Sequence, residues 1–376
     1  MKIIAHYLPQ FHEIPENSIW WGPGYTEWTA VRRGKSLFKD HYQPRIPLHE
    51  EYYRLDKVET LNWQTELAKK FGIYGFCIWH YWFMGKLLLE KPAEIFISKE
   101  KTNFPFCFAW GNESWTRAWY GQENKILIEQ KYGNQISWEK HYYYLNKFFS
   151  NENYIKINNK PILAILNTSD IPECERLLER WNNLALKEGF SGIFYIQILS
   201  GRRIDNRSLC IDAQLRFEPG YTLTHVMPLL WREMRRAKAL IKRIINRSNG
   251  KHKFIENILS YDELYRNMLL NNNISDKKQI LGGFTDWDNS PRREYSSTVY
   301  RGSTPAKYEK YLISQIEQSQ YIYKSDMLFI NAWNEWAEGA YLEPDLKNGY
   351  GYLEAVKNAL NISLAGDKGN RLGVQG

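Results

Sequence analysis

Eight short apolar runs, separated by stretches with helical periodicity, constrain this 376-residue chain more than any other feature. They are Lys2–Tyr7, Ile73–Trp79, Phe104–Trp110, Pro161–Leu166, Ile193–Leu199, Ala213–Phe217, Gln279–Phe284 and Met327–Trp333. Each is nearly continuous in apolar residues, as expected of parallel strands covered on both faces, and the alternation with helices points to a parallel sheet wrapped by helices. Helices are expected after Asp56, which stands where a cap belongs, and over Cys174–Ala185, where Cys174, Leu177, Leu178, Trp181, Leu184 and Ala185 form one stripe. Two more are expected from Thr304-Pro305 to about Tyr321 and over Tyr350–Leu360. Eight strands in a chain of this length fit an α/β fold of the (β/α)8 TIM type better than an open sheet.

On this reading residues 1–362 are one catalytic domain with insertions at 9–55 and 219–275, and residues 363–376 are a flexible tail. Both insertions follow barrel strands, so they are long loops at the C-terminal face, where barrel enzymes keep their active sites. Chemistry should therefore be sought at the strand ends. Strand one ends in His6-Tyr7, strand two runs into His80-Tyr81-Trp82, and strand three runs from Trp110 into Asn112-Glu113-Ser-Trp115. Strand six ends at Arg216 and Glu218, strand seven at Asp286-Trp287-Asp288, and strand eight at Asn334-Glu335-Trp336-Ala337-Glu338, with Glu343 shortly beyond.

Two carboxyl groups with stacking aromatics are what glycosidic-bond chemistry needs. Glu335 and Glu338, three residues apart, are neighbours on any helical turn, and two like charges so close push at least one pKa upward. They are the candidate catalytic pair. Candidate sugar contacts are His6, Tyr7, Trp28, His80, Tyr81 and Trp82, then Trp110, Asn112, Glu113 and Trp115. Arg216, Glu218, Asp286, Trp287, Asn334, Trp336 and Glu343 complete that set. Aromatics make up 15% of the chain, with 15 Trp, 26 Tyr and 17 Phe, a supply that serves core filling as well as sugar stacking.

Other chemistries find little support. Asp286-Trp287-Asp288 has the DxD form some glycosyltransferases use for a metal and a nucleotide diphosphate, but no P-loop, GxGxxG or HExxH accompanies it. The four cysteines show no metal spacing, so neither a metal nor a cofactor is expected. The formal charge of +8 is matched by residues 231–253, where nine Lys/Arg face the single acid Glu233, so the remainder is neutral and no nucleic-acid partner is expected. That run interleaves cations with Leu230, Trp231, Met234, Ile241, Ile244 and Ile245, so it reads either as an interfacial helix in peripheral contact with anionic lipid or as a solvated helix packed on the barrel. No signal peptide and no apolar stretch of about 18 residues is visible, which makes the cytoplasm the expected address.

The stretches His6-Tyr-Leu-Pro-Gln-Phe-His12, Trp20-Trp-Gly with Tyr25-Thr-Glu-Trp28, Phe106–Trp115 and Asn331–Asp345 resemble the WbsX-type domain, from residue 1 to about 360. That family carries the label of a glycosyltransferase of bacterial surface-polysaccharide synthesis and is related to glycoside hydrolase family 99, the endo-α-mannosidases, which are (β/α)8 barrels. The resemblance implies an oligosaccharide or polysaccharide substrate, lipid-linked or imported if the protein acts in the cytoplasm. It also implies retention through a 1,2-anhydro sugar, with Glu335 as base on the 2-hydroxyl and Glu338 as general acid/base. The leading expectation is thus a hydrolase or transglycosylase of α-linked glycans. A nucleotide-sugar-dependent transferase comes second, and a non-catalytic glycan-binding barrel third.

Overall fold

The computed structural model describes residues 1–98, 103–117, 125–201, 204–207, 210–248, 254–273 and 275–372. Its eight long parallel strands are β1 (Lys2–Tyr7), β2 (Ile73–Phe83), β3 (Phe106–Trp110), β4 (Lys160–Ile165), β5 (Phe194–Leu199), β6 (Ala213–Arg216), β7 (Lys278–Phe284) and β8 (Met327–Asn331). Around the ring the order is β1, β8, β7, β6, β5, β4, β3, β2, and β2 pairs β1 again. Each pair is parallel, for example Ile3 opposite Leu328 and Cys77 opposite Cys107. The ring is a closed (β/α)8 barrel of the TIM type, as the apolar runs predict. β2 outruns expectation because its apolar run continues to Phe83, and its far end folds back on Lys86–Leu88.

The larger helices are α1 (Val58–Lys70), α2 (Gln135–Phe149), α3 (Cys174–Lys187), α4 (Leu229–Ser248), α5 (Tyr261–Leu270), α6 (Pro305–Tyr321) and α7 (Gly351–Leu372). The stripe expected on α3 is the face it buries, Trp181 with no exposure at all. α6 opens at Thr304-Pro305 as expected, with Pro305 in the first turn and the Thr304 Oγ1 capping it by accepting from the Lys307 N–H. Asp56 does not cap α1. The cap position falls on Lys57, and the Asp56 carboxylate instead takes the Arg54 guanidinium at 2.7 Å. Nor does regular structure stop at 362: α7 continues to Leu372, because nothing in Ile362–Leu372 breaks a helix except Gly366 and Gly369, which a helix tolerates at modest cost. Residues 373–376 lie outside the described part.

The 9–55 insertion carries two short helices, Pro15–Trp21 and Glu27–Arg33, and crosses the C-terminal rim of the barrel. It is fastened there by the loop after β7. Asp288 accepts from Gln43 Nε2 at 2.7 Å and lies 2.8 Å from His41 Nε2, while Asp286 accepts from Arg45 at 2.8 Å. Burial raises the Asp288 pKa, but the His41 hydrogen bond and the Arg45 charge outweigh it and hold the carboxylate at about 2. The two DxD carboxylates are thus occupied in pinning the first loop to the rim.

β6 and β7 approach so closely that a Cβ at Gly282 would overlap the Arg216 carbonyl oxygen, a backbone atom that cannot swing aside. Gly282→Ala is expected to cost about 3 kcal/mol through overpacking. Equilibrium urea unfolding checks this; an unchanged midpoint would mean the ring relaxes without loss.

Candidate active site

Side chains along a strand alternate between the lumen and the helices, and this decides which strand-end residues meet. Over the C-terminal mouth of the barrel lies a cleft of about 580 Å³, the right order for a few sugar rings. Trp79 and Tyr81 of β2 point into it, as do Phe217 after β6 and Asn331 at the end of β8. The loop after β3 adds Gly111, Glu113 and Trp115, and the loop after β7 adds Trp287, Asn289, Arg292 and Arg293. Gln10 and Trp21 close one side from the first insertion, and Glu335 and Glu338 form the acidic wall.

The acidic pair brackets a single 3-10 turn, Trp336–Glu338, with Glu335 at its N-cap and Glu338 as its last residue, so that both carboxyls reach the same guanidinium. Arg292 Nη1 donates to Glu338 at 2.7 Å and Nη2 contacts Glu335 at 3.4 Å. The same Arg292 donates through Nε and Nη2 to Glu27 at 3.0 and 2.6 Å. One cation therefore serves three acids in a poorly solvated place. Burial first, then the charge of Glu338, pushes Glu335 up to about 8 against the lowering pull of Arg292. Glu338 is also raised, again chiefly by burial, with Arg292 opposing. The Glu335 side chain is 10% exposed, whereas that of Glu338 keeps 23% of its surface open. The arrangement holds a proton near neutrality on the inner carboxyl and presents the other to the cleft, which suits acid/base chemistry.

Of the other residues expected at the site, Tyr81, Glu113, Trp115 and Trp287 line the cleft. His6 lies below it, buried between Trp79, stacked at 5.3 Å, and Phe217 at 5.0 Å, and burial drops its pKa to about 3. The remaining ones turn away from the lumen or lie behind the wall. Tyr7 donates to Gln64 of α1 at 2.7 Å. His80 meets His141 of α2 at 2.8 Å, Trp82 stacks on the same ring at 4.6 Å, and Trp110 abuts it edge-on at 4.8 Å. Arg216 donates to the Asn271 carbonyl and Tyr323 outside the ring, at 3.2 and 3.0 Å. Each is one residue out of phase with a cleft residue, as a period of two requires.

Asn112 latches two loops, donating to the Asn167 carbonyl at 2.8 Å and accepting from its N–H at 2.8 Å. Glu218, pushed up to about 7 by burial, accepts from Thr222 Oγ1 at 2.8 Å, and Asp286 is spent on Arg45 as described. Trp28, Asn334, Trp336 and Glu343 form a layer behind the acidic pair. Asn334 bonds both backbone groups of Leu8, at 2.7 and 3.0 Å. Glu343 accepts from Trp336 Nε1 and Tyr53 at 2.7 Å each and from Gln64 at 2.6 Å. Trp28 donates to the Tyr53 carbonyl at 2.8 Å and packs on Trp336 at 5.4 Å. These residues orient the turn that carries Glu335 and Glu338 without touching the cleft.

Sequence reasoning passed over Glu27 and Arg292. Two buried acids need a nearby cation, and Arg292-Arg293 stand in the loop after β7; only the fold brings Glu27 from the first insertion to complete the cluster. Among the described residues, no group of three or more His, Cys, Asp and Glu side chains is placed to hold a metal ion.

Comparison with known proteins agrees with this architecture. Residues 3–356 match the family model of glycosyltransferase WbsX, and the chain belongs to that carbohydrate-active family. The uncharacterized protein WxcX of Xanthomonas campestris pv. campestris, in two strains, is 33% identical over 362 residues, which cover 95% of this chain. The chain spans about half, 49%, of the length of those relatives. Among solved structures, the family 99 endo-α-mannosidase from Bacteroides thetaiotaomicron superposes with a TM-score of 0.56 at 11% identity, covering 98% of both chains. A glycoside hydrolase-like protein gives 0.54 at 12% identity over 95% of this chain and 93% of its own. At such identities these structures share the fold, that of the family 99 barrel.

The raised Glu335 pKa has a sign that stability can read. Below about pH 4.5, the ordinary value, folded and unfolded chains both hold this proton and the group costs nothing. As pH rises from there toward about 8, the folded chain keeps a proton the unfolded chain has lost, so stability falls. Glu335→Gln removes that dependence. Its melting temperature should match the parent's near pH 4.5 and exceed it progressively up to pH 8; parallel curves would place the proton elsewhere.

Proposed function

We propose that this protein is a retaining glycosidase or transglycosylase acting within bacterial surface-polysaccharide metabolism. Its substrate on this reading is an α-linked oligosaccharide or polysaccharide, including lipid-linked forms met on the cytoplasmic side. The observation that carries the reading is the pair Glu335–Glu338, bridged by Arg292 at the wall of a cleft lined by Trp21, Trp79, Trp115 and Trp287. Indole faces match the C–H faces of sugar rings, and the paired carboxyls supply one proton donor and one acceptor.

In the first step Glu335, as carboxylate, takes the proton of the sugar 2-hydroxyl. O2 attacks C1, the C1–O bond to the leaving group breaks, and Glu338 gives its proton to the departing oxygen. The product is a 1,2-anhydro sugar. In the second step Glu338 takes a proton from water or an acceptor hydroxyl, whose oxygen attacks C1. The C1–O2 bond breaks, and Glu335 returns its proton to O2. Two inversions give net retention. In the chain by itself the closer Arg292 contact to Glu338 favours the carboxylate there and the proton on Glu335. Substrate binding must therefore move that proton across the pair, and a 2-hydroxyl donating to Glu335 supplies the driving interaction.

A nucleotide-sugar-dependent transferase is the second reading, favoured by the name of the family whose model matches. Against it stand Asp286 and Asp288, engaged by Arg45, His41 and Gln43. A non-catalytic glycan-binding barrel is the third. Mass spectrometry of polysaccharide from the source organism, incubated with and without nucleotide sugars, separates them. Fragments released without nucleotide, and reduced roughly 10²–10⁴-fold by Glu338→Gln, are expected from a general acid/base. Chain growth that requires a nucleotide sugar would establish the transferase, and unchanged glycan with measurable affinity would establish the binding barrel.

Arg292 lowers both carboxyl pKa values. Arg292→Gln is therefore expected to shift the alkaline limb of the kcat/KM profile upward while lowering its maximum. A lowered maximum on an unshifted profile would mean that Arg292 only positions the turn.

A further inference from the structure

The helix α4 wears its apolar stripe on the wrong side for a protein in water. Leu229, Leu230, Met234, Leu240, Ile241 and Ile244 are each between 47% and 72% exposed. At 3.6 residues per turn these six fall within an arc of about 140°. The opposite face, with Ala239 and Asn246 buried, is the one laid on the protein: Asn246 donates to the Phe254 carbonyl at 2.8 Å and Lys242 to the Ile255 carbonyl at 3.0 Å. A helix that merely covers a barrel turns its apolar stripe inward. Here the chain spends its small and polar residues on the inner contact and leaves the long aliphatic ones to the outside.

Cations border the stripe on both edges. Arg232, Arg236 and Arg243 run along one side and Lys238 along the other, while Arg235 and Lys242 turn inward, Arg235 donating to Asn257 Oδ1 at 3.3 Å. Glu233, the one acid within the helix, falls inside the arc of the stripe and is neutralised there by Arg236 at 2.6 Å, and Arg243 is paired with Glu256 at 2.7 Å. Beside the second edge runs a groove of about 200 Å³ lined by Trp231, Arg235, Lys238 and Lys242 on the helix and by Glu256 and Glu263 across from it. Apolar side chains flanked by guanidinium and ammonium groups, with an indole at the boundary, match the depth profile of a bilayer surface: acyl chains in the middle, phosphates on either side.

We propose that α4 docks the protein on the surface of an anionic phospholipid bilayer, with the stripe in the acyl boundary and both cationic edges on lipid phosphates. Charge complementarity decides the occupant. A second copy of this chain packed stripe to stripe would bring together two helices that each carry six cations between residues 232 and 243 against the single acid Glu233. No helix of the described residues is long and apolar enough to cross a membrane, so the contact is peripheral. The insertion that carries α4 springs from the end of β6, at the same rim as the cleft. If the catalytic reading above holds, on which this last step rests, the substrate brought to Glu335 and Glu338 is a glycan carried by a lipid of that bilayer.

Flotation of the full chain with vesicles tests the docking. The parent is expected to float with vesicles of phosphatidylglycerol and phosphatidylcholine, at least tenfold more than with phosphatidylcholine alone. The triple variant Leu230→Ser, Ile241→Ser, Ile244→Ser should lose more than tenfold of that binding with an unchanged melting temperature, since the replaced side chains already face outward. Arg236→Gln with Lys238→Gln should weaken it about fivefold per cation removed and flatten its salt dependence. A parent that fails to float, or floats equally with both vesicles, overturns the proposal. So does a dimer in sedimentation equilibrium that the serine variant dissolves, which would make a second copy the occupant. The serine variant should cleave a water-soluble glycan fragment as the parent does, so loss of docking and failure of the catalytic reading are told apart.

Discussion

A closed ring of parallel strands gives every side chain two choices, the lumen or the helical jacket, and most of this molecule follows from that. With no sheet edge, each strand is fixed on both sides by its neighbours, as β1 is between β8 and β2. The register cannot slip by one residue without turning Trp79 and Tyr81 out and His80 and Trp82 in. The outward set pays for its polar atoms among the helices, in contacts such as His80 with His141 and Tyr7 with Gln64. The inward set is left to floor and wall the cleft.

The electrostatics at the rim extend the same economy. Carboxyls gathered over a barrel mouth are poorly solvated, and the fold meets this by sharing Arg292 among Glu27, Glu335 and Glu338 and by tying Asp286 and Asp288 to Arg45, His41 and Gln43. Both devices join the loop after β7 to the first insertion. The clamp holding the insertion closed and the cluster tuning the acidic pair are therefore parts of one interface. The layer of Trp28, Asn334, Trp336 and Glu343 behind the 3-10 turn stiffens it from the other side. A site that relies on a shared proton needs such support, because small displacements change which carboxyl the guanidinium favours.

The second insertion answers to a different requirement. Its helix has the amphipathic composition of an ordinary surface helix, yet the stripe faces away from the barrel. Sequence periodicity measures how strongly a helix segregates its residues, not which way it is turned. Orientation came from the inner contacts of Asn246 and Lys242 with the Phe254–Glu256 segment.

Much of the fold was legible because burial on both faces imposes near-continuous apolar runs, and eight such runs with helices between them leave few architectures. The acidic pair was legible because Glu335 and Glu338 are close in the chain and sit after a strand. Glu27 and Arg292 were not, since 265 residues separate partners that only the crossing of the first insertion brings to 2.6 Å. Nor was the sorting of strand-end residues, because nearness to a strand's end does not decide access to the cleft. What the sequence determined by itself is local and periodic: strands, helix stripes, the helix start at Thr304-Pro305 and the neighbouring carboxyls. Tertiary structure alone decided which of two faces each side chain took and which distant charge it met, because those depend on closure of the ring and the path of two long loops, to which short-range pattern is blind.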